Sequence, residues 1–226
     1  MTIGSILHHA INDDVVWGTG FISDSSKYGL LTTTKKLKVL ALRGPMTNEL
    51  LHKSGIDVDL PVYGDPGIFI PYAFGIARQT KKSYSIGVVP HVEDYDLVSK
   101  QKIFREGIAL IDFRKDFRTA VEKIAQCERI VSSSLHGLII AEALGIPAAW
   151  VLFSNKVIGN GFKFKDYYLG SGRTLDDVVA TDWRYKISIG TEKYMPPATF
   201  DVAGLLDAAP FFIDSGKKQT ILDWFK

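Results

Sequence analysis

Cysteine is almost missing. Cys127 is the only one in 226 residues. That excludes an internal disulfide framework and a cysteine-rich zinc site. It reads as a small buried hydrophobe beside a strand. An excess of one charge is missing too: 27 Lys+Arg face 25 Asp+Glu, a formal net charge of +2. So balanced a chain has no bulk field with which to bind nucleic acid. No apolar run reaches the ~18 residues of a membrane span. The longest candidate, Leu135 to Leu152, is broken by Gly145-Ile146-Pro147. The chain does not open on a basic stretch followed by an apolar one, so no signal peptide is expected. Neither internal repeats nor low-complexity segments occur. What remains is an ordinary globular composition, 46% hydrophobic and 23% charged. It predicts a folded cytoplasmic chain of one large domain or two small ones.

Short apolar runs alternate with helical patterns. Val15-Val16-Trp17 reads as a strand ending at Gly18-Thr19-Gly20, and Lys38 to Leu42 as one ending at Arg43-Gly44-Pro45. Met46 to Ser54 follows as a helix, stopped by Gly55. Val62-Tyr63 leads into the turn cluster Gly64-Asp65-Pro66-Gly67. Pro71 to Lys82 is mixed and basic, and reads as a linker. Beyond it, strands are expected at Tyr84 to Val89, Ile108 to Ile111, Arg129 to Ser132 and, last, Ala148 to Phe153. Helices are expected at Asp94 to Lys102, Phe117 to Ala125 and Leu135 to Leu144. Such alternation with short connections predicts an α/β protein whose parallel sheets are covered by helices. The expected division is 1–75 as a partial N-terminal half, 83–200 as a C-terminal half, and 201–226 as terminal helices packing back on the first half. The abrupt start at Met1 to Ser5 predicts that a first strand–helix unit is absent from the first half.

Ligands of open parallel sheets bind beyond the carboxyl ends of the strands. Four strand exits here carry chemistry, at Gly18-Thr19-Gly20, Arg43-Gly44-Pro45, Pro90-His91 and Ser132 to His136. The last is the strongest. A strand ends, three serines follow and a helix begins, so free N–H groups, a partial positive charge and hydroxyls coincide. That suits a phosphate or carboxylate, with His136 in the first turn. Ordinary N-capping by Ser133 or Ser134 explains the same residues equally well. Arg43 has the chemistry to clamp an oxyanion bidentately, or to form a surface ion pair with Glu49 or Asp57. Gly18-Thr19-Gly20 lacks the third glycine of a dinucleotide fingerprint, Ser23 standing there, so NAD is rejected. His91 suits catalysis or a turn. The adjacent His8 and His9 diverge and no carboxylate cluster joins them, so no metal is expected. Lys163-Phe164-Lys165-Asp166-Tyr167-Tyr168 and the following Gly170-Ser171-Gly172-Arg173 mix cations with aromatic rings. They read as a saccharide- or phosphate-facing loop, or as a solvated helix with two buried tyrosines.

Taken in order, these segments resemble the polysaccharide pyruvyl transferase family, and most of all its bacterial exopolysaccharide ketal-pyruvate transferases. The likeness is carried by Gly4-Ser5-Ile6-Leu7-His8, Val16 to Gly20, Leu42 to Thr47, Tyr63 to Gly67, Val89-Pro90-His91, Ser132 to Gly137, Ala141 to Pro147, Phe164 to Tyr168 and Gly170 to Arg173. It implies two facing Rossmann-like halves of the GT-B glycosyltransferase type, the first truncated at its N-terminus. It further implies transfer of pyruvate from phosphoenolpyruvate to a sugar as a cyclic ketal, with no cofactor and no metal. Arg43, Ser133, Ser134, Leu135 and His136, with Gly18, Thr19 and Gly20, would face phosphoenolpyruvate, and His136 and Arg43 would be catalytic. More distant members carry arginine where this chain has Ser134, so Lys163, Lys165 or Arg173 would compensate. Asp65 and His91 are the remaining candidates on the acceptor or phosphate side.

The reaction needs an acid for the methylene carbon, a base for a sugar hydroxyl, and cations or donors for carboxylate and phosphate. A helix N-terminus disfavours an imidazolium and a bound phosphate favours one, so acid and base stay open for His136. A lipid-linked acceptor would bring the chain to the inner membrane face. An open sheet edge would invite homo-oligomers. The alternatives on the same fold are a nucleotide-sugar glycosyltransferase and an inactive saccharide-binding relic.

Overall fold

The computed structural model describes residues 1–29, 31, 36–59, 62–78, 81–196 and 198–226. In chain order its elements are β1 (Val15–Trp17), β2 (Lys38–Leu42), α1 (Pro45–Lys53), β3 (Val62–Tyr63), α2 (Ile70–Ala73), β4 (Tyr84–Val89), α3 (Tyr95–Val98) and β5 (Ile108–Leu110). Then come α4 (Phe117–Ala125), β6 (Cys127–Ser132), α5 (Leu135–Ala143), β7 (Ala148–Leu152), α6 (Phe162–Gly170), β8 (Thr181–Asp182), α7 (Val202–Asp207) and α8 (Ser215–Trp224). Short 3-10 turns lie at Leu7–His9, Pro66–Phe69 and Leu175–Asp177.

Two units divide the chain. The first holds residues 1–66, 158–175 and 198–226. Its sheet runs β1-β2-β3, both pairings parallel. Leu7, Val16, Phe21, Leu42, Leu51 and Phe162 build its core. Each such side chain taken from water contributes about 1.5–3 kcal/mol. α7 lies against β3 in this unit, and the Trp17 indole N–H donates to Leu205 O at 2.9 Å. Residues 158–175 were expected in the C-terminal half. They belong instead to the first unit, where α6 packs on α1.

The second unit holds residues 67–157 and 176–197. Its sheet runs β5-β4-β6-β7-β8, parallel throughout. Ile86, Val88, Val131, Val151, Phe153 and Trp183 form its core. Three expectations change here. Ala148 to Phe153 is not the last strand, because β8 pairs with β7 through Val151 and Leu152. The expected linker contains α2, and the Arg78 guanidinium donates to Ala143 O at 3.3 Å, so the segment is part of this unit. Gln79 and Thr80 of that linker lie outside the described residues. The helix expected over Asp94 to Lys102 is the single turn α3, since Ser99 to Lys102 offers no apolar side to bury. No helix among the described residues is long and apolar enough to cross a membrane.

Cys127 is fully buried at the start of β6, where desolvation pushes its thiol up to about 12 despite Lys123 and Lys82 nearby. A thiol reagent at mildly alkaline pH should leave the native chain unmodified and label it only in denaturant, read by mass spectrometry.

Gly18 ends β1 at φ +81°, and a Cβ there would stand 2.1 Å from Pro66 Cδ. A left-handed conformation and a clash combine, so Gly18→Ala should lose about 1–3 kcal/mol or more in denaturant melts.

Candidate functional site

The parallel sheet of the second unit has a strand order that reverses between β4 and β6. The chain goes from β4 outward to β5, then back across to β6 and on to β7 and β8. Such a switch point leaves a crevice at the carboxyl ends of the two central strands. Their exits are Pro90-His91 and Ser133-Ser134, and the two are tied together. The His91 amide donates to Ser133 Oγ at 2.9 Å. The sequence-predicted residues His91, Ser133, Ser134, Leu135 and His136 therefore come together at one place.

The turn from β6 into α5 is built by serine hydroxyls. Ser132 Oγ lies 2.7 Å from Val89 O and 2.8 Å from Ser134 O, and it accepts the Ser134 amide at 2.9 Å. Ser132 is thus consumed in shaping the turn. Ser133 donates to Asp94 Oδ2 at 2.6 Å. Ser134 is the N-cap of α5, with φ −99° and ψ 125°, yet it makes no side-chain cap bond. The residue is 8% exposed. The expectation of ordinary N-capping therefore fails at the one serine placed to do it. The first N–H groups of a helix have no intrahelical acceptor, and here the usual hydroxyl cap leaves them to another acceptor. His136 is the second residue of α5 and half-buried. His91 Nδ1 accepts the Glu93 amide at 3.3 Å, which puts the proton of the neutral ring on Nε2.

The other predicted residues lie in the first unit, and there the structure changes their meaning. Arg43 has no solvent exposure. Its Nε donates to Asp166 Oδ2 at 2.9 Å, Nη1 to Ser5 Oγ at 2.6 Å and Nη2 to Phe21 O at 2.6 Å. It is neither a free anion clamp nor a surface partner of Glu49 or Asp57, which pair with Lys53 and His52. Asp166 on α6 also accepts the Thr47 amide at 2.8 Å and the Thr47 hydroxyl at 2.7 Å. The carboxylate thereby caps α1, whose N-cap is Gly44 and has no side chain to do so. A Cβ on Gly44 would come within 1.8 Å of Asp166 O. The Arg-Gly-Pro turn is therefore a docking point for α6.

Gly18-Thr19-Gly20 is structural as well. The Thr19 hydroxyl donates to Gly4 O at 2.6 Å, and Thr19 O accepts the Arg43 amide at 3.2 Å. Gly20 O accepts the Leu7 amide at 3.2 Å. These bonds seat residues 4–7 against the end of β1. Asp65 is buried at 1% exposure. The Lys163 to Arg173 segment is the expected helix with two buried tyrosines over most of its length, but it is largely buried rather than solvated. In α6, Phe162, Lys163, Phe164, Asp166, Tyr167 and Tyr168 are all buried, and Lys165 alone of the predicted cations there is exposed. Arg173 lies over the Tyr168 ring, 4.9 Å from its centroid, and its Nη1 donates to Ser171 Oγ at 2.7 Å.

Two carboxylates escaped the sequence-based choice of site residues, Asp166 and Asp94. Asp166 had a signal: a single acid among Phe and Tyr demands a buried cation, and Arg43 sits in an equally apolar stretch. Asp94 had none, since an acid before a short helix reads as a cap. Among the described residues no three His, Cys, Asp or Glu side chains are grouped to hold a metal ion.

Removing one member of a buried ion pair strands the other. Arg43→Ala and Asp166→Asn should each destabilise the chain by about 3–5 kcal/mol in chemical denaturation. An Arg43→Ala variant of unchanged stability and weakened anion binding would restore Arg43 as a ligand.

Comparison with known proteins follows the same lines. The family model for polysaccharide pyruvyl transferase matches residues 6–155. An uncharacterized protein, L143, of Acanthamoeba polyphaga mimivirus is 31% identical over 226 residues, covering 97% of this chain and 74% of that protein. Succinoglycan biosynthesis protein ExoV of Rhizobium meliloti (strain 1021) is 30% identical over 176 residues, covering 73% of this chain and 51% of that protein. This chain thus matches about half the length of the succinoglycan relative. No solved structure matches it. With about two thirds of its length inside the family model, the chain belongs to the polysaccharide pyruvyl transferase family.

Proposed function

We propose that this protein transfers pyruvate from phosphoenolpyruvate to a sugar of an exopolysaccharide repeat unit, forming a cyclic ketal. The observation that carries this reading is the first turn of α5 at the sheet's switch point, left without its serine cap, in a member of this family. Phosphoenolpyruvate brings a carboxylate and a phosphate, and a helix N-terminus binds either. The two parallel-sheet units are the counterparts of the two halves of a glycosyltransferase-like fold. The reaction is cytoplasmic, and a lipid-linked acceptor would deliver the sugar at the membrane face.

The chemistry proceeds as an addition followed by a displacement. His136 protonates the methylene carbon, which becomes a methyl group. The central carbon loses its share of the double bond and gains the oxygen of a first sugar hydroxyl, whose proton leaves to base. A second hydroxyl of the same sugar then bonds to that carbon as its bond to the phosphate oxygen breaks. Inorganic phosphate departs, and the two hydroxyl protons replace the one spent on the methyl group and the one phosphate carries away. The Ser134 hydroxyl and the first N–H groups of α5 hold the anion. His91, whose Nδ1 accepts the Glu93 amide, presents its Nε2–H to the phosphate side. Lys163, Lys165, Arg173 and Asp65 are left to hold the acceptor or the first unit together, and Arg43 acts by positioning.

His136→Ala should abolish pyruvyl transfer while the melting temperature stays within a few degrees. Phosphoenolpyruvate should raise the melting temperature of the wild-type chain, as any ligand of the native state does. Calorimetric titration measures the affinity. Stabilisation by a nucleoside diphosphate with none by phosphoenolpyruvate would replace this reading by nucleotide-sugar transfer. A His136→Ala variant with near-wild-type turnover would remove the proposed proton donor.

A further inference from the structure

Asp94 plays no part in the chemistry above, yet it is a buried acid of the second unit. It has no solvent exposure. Its Oδ2 accepts the hydroxyl of Ser133 at 2.6 Å, and its Oδ1 accepts that of Ser154. Among the described residues its side-chain partners are these hydroxyls and no cation. A carboxylate is expensive to bury, and donors aimed at each oxygen are what make it tolerable. Although Asp94 is the N-cap of α3, it makes no side-chain cap bond there. Local helix chemistry therefore does not explain its burial.

The donors come from different strands. Ser133 follows β6, Ser154 follows β7, and Asp94 itself follows β4 in a turn closed by its amide on His91 O at 2.9 Å. One carboxylate thus joins three neighbouring strand exits. Ser133 is fixed at both ends of its hydroxyl, giving its proton to Asp94 and accepting the His91 amide at 2.9 Å. It has no proton left for a ligand. The sequence placed Ser133 against the donor, whereas its geometry makes it the link between Asp94 and the residue just before the α5 cap.

We infer that Asp94 is a positioning residue of the anion site: through Ser133 and Ser154 it sets the height of the β6 and β7 exits, and so the place where Ser134 and the first turn of α5 meet the ligand. The inference rests on the proposed function for the identity of that ligand as phosphoenolpyruvate, and on the geometry alone for an anion. Asparagine at this position keeps one acceptor oxygen and turns the other into a donor. One serine must then reverse its hydroxyl or lose its partner.

The test uses the full chain labelled with nitrogen-15, titrated with inorganic phosphate and separately with phosphoenolpyruvate. The amides of residues 134–137 report on binding, and exchange of the His91 amide reports on the clasp. Asp94→Asn should speed His91 exchange and weaken both ligands about tenfold or more, as a displaced first turn would. In turnover it should raise KM for phosphoenolpyruvate more than it lowers kcat, a split that loss of stability alone does not produce. Ser154→Ala, which leaves Ser133 and its carboxylate in place, should show the same signs more weakly. It carries the test if Asp94→Asn does not fold. Wild-type affinity for both ligands in the folded variants overturns the inference. Weakened phosphate binding in Asp94→Asn, in a chain that neither prefers phosphoenolpyruvate nor transfers pyruvate, upholds the clasp and overturns the function instead. No response of residues 134–137 to either ligand in the wild-type chain overturns both.

Discussion

Parallel strands impose a constraint from which the rest of this molecule follows. Each strand must return to its starting edge through a crossover, so every strand of a sheet ends on the same side. In the second unit the order β5-β4-β6-β7-β8 then puts the topological switch point between the ends of β4 and β6. His91 and Ser133 are brought side by side by that topology and joined by one hydrogen bond. The helix start that follows is shaped by Ser132, whose hydroxyl bridges Val89 and Ser134. The meeting of these strand exits is a consequence of sheet order, and the uncapped start of α5 is a consequence of Ser134 making no side-chain cap bond.

Both units use the same device to hold their loops. A fully buried aspartate joins segments distant in sequence, and each is satisfied differently. Asp166 meets a guanidinium and two groups of Thr47, so its charge is balanced and a helix start is capped at once. Asp94 meets two hydroxyls. A balanced pair anchors α6 firmly against the turn after β2. Asp94 is held by hydroxyls alone, so its geometry depends on two light side chains holding their rotamers. Such a group suits an element that must be held in register at a binding edge more than it suits bulk stability.

Much of the architecture was legible in the sequence, because apolar runs and caps are local signals. Phe117 to Ala125 reads as a helix, and the structure caps it with Asp116, whose carboxylate accepts the Thr119 amide at 3.0 Å. Tyr84 to Val89 reads as a strand because both its faces are covered and it is apolar along most of its length. The site was partly legible. Serine and histidine at the strand exits were read from the sequence, and the structure brings His91 and Ser133 together; the ordered segments suggested the family that the family model shows. Arg43 misled, because a guanidinium at a strand exit looks the same whether it awaits an anion or already holds Asp166 from 123 residues away. β8 was missed because Thr181–Asp182 has no apolar pattern and is a strand only by virtue of β7 beside it.

What the sequence by itself determined is therefore the parallel α/β class, most element positions, the family and the serine-to-helix turn, all of which depend on residues within a few positions of each other. Only the tertiary structure decided which of those residues are free to act. Residues 158–175 join the first unit, Ser132 and Ser133 are consumed in holding strand ends, and Ser134 is left uncommitted. The physical reason is that a hydrogen-bonding group is available to a ligand only when no partner within the protein has claimed it, and those partners come from far along the chain.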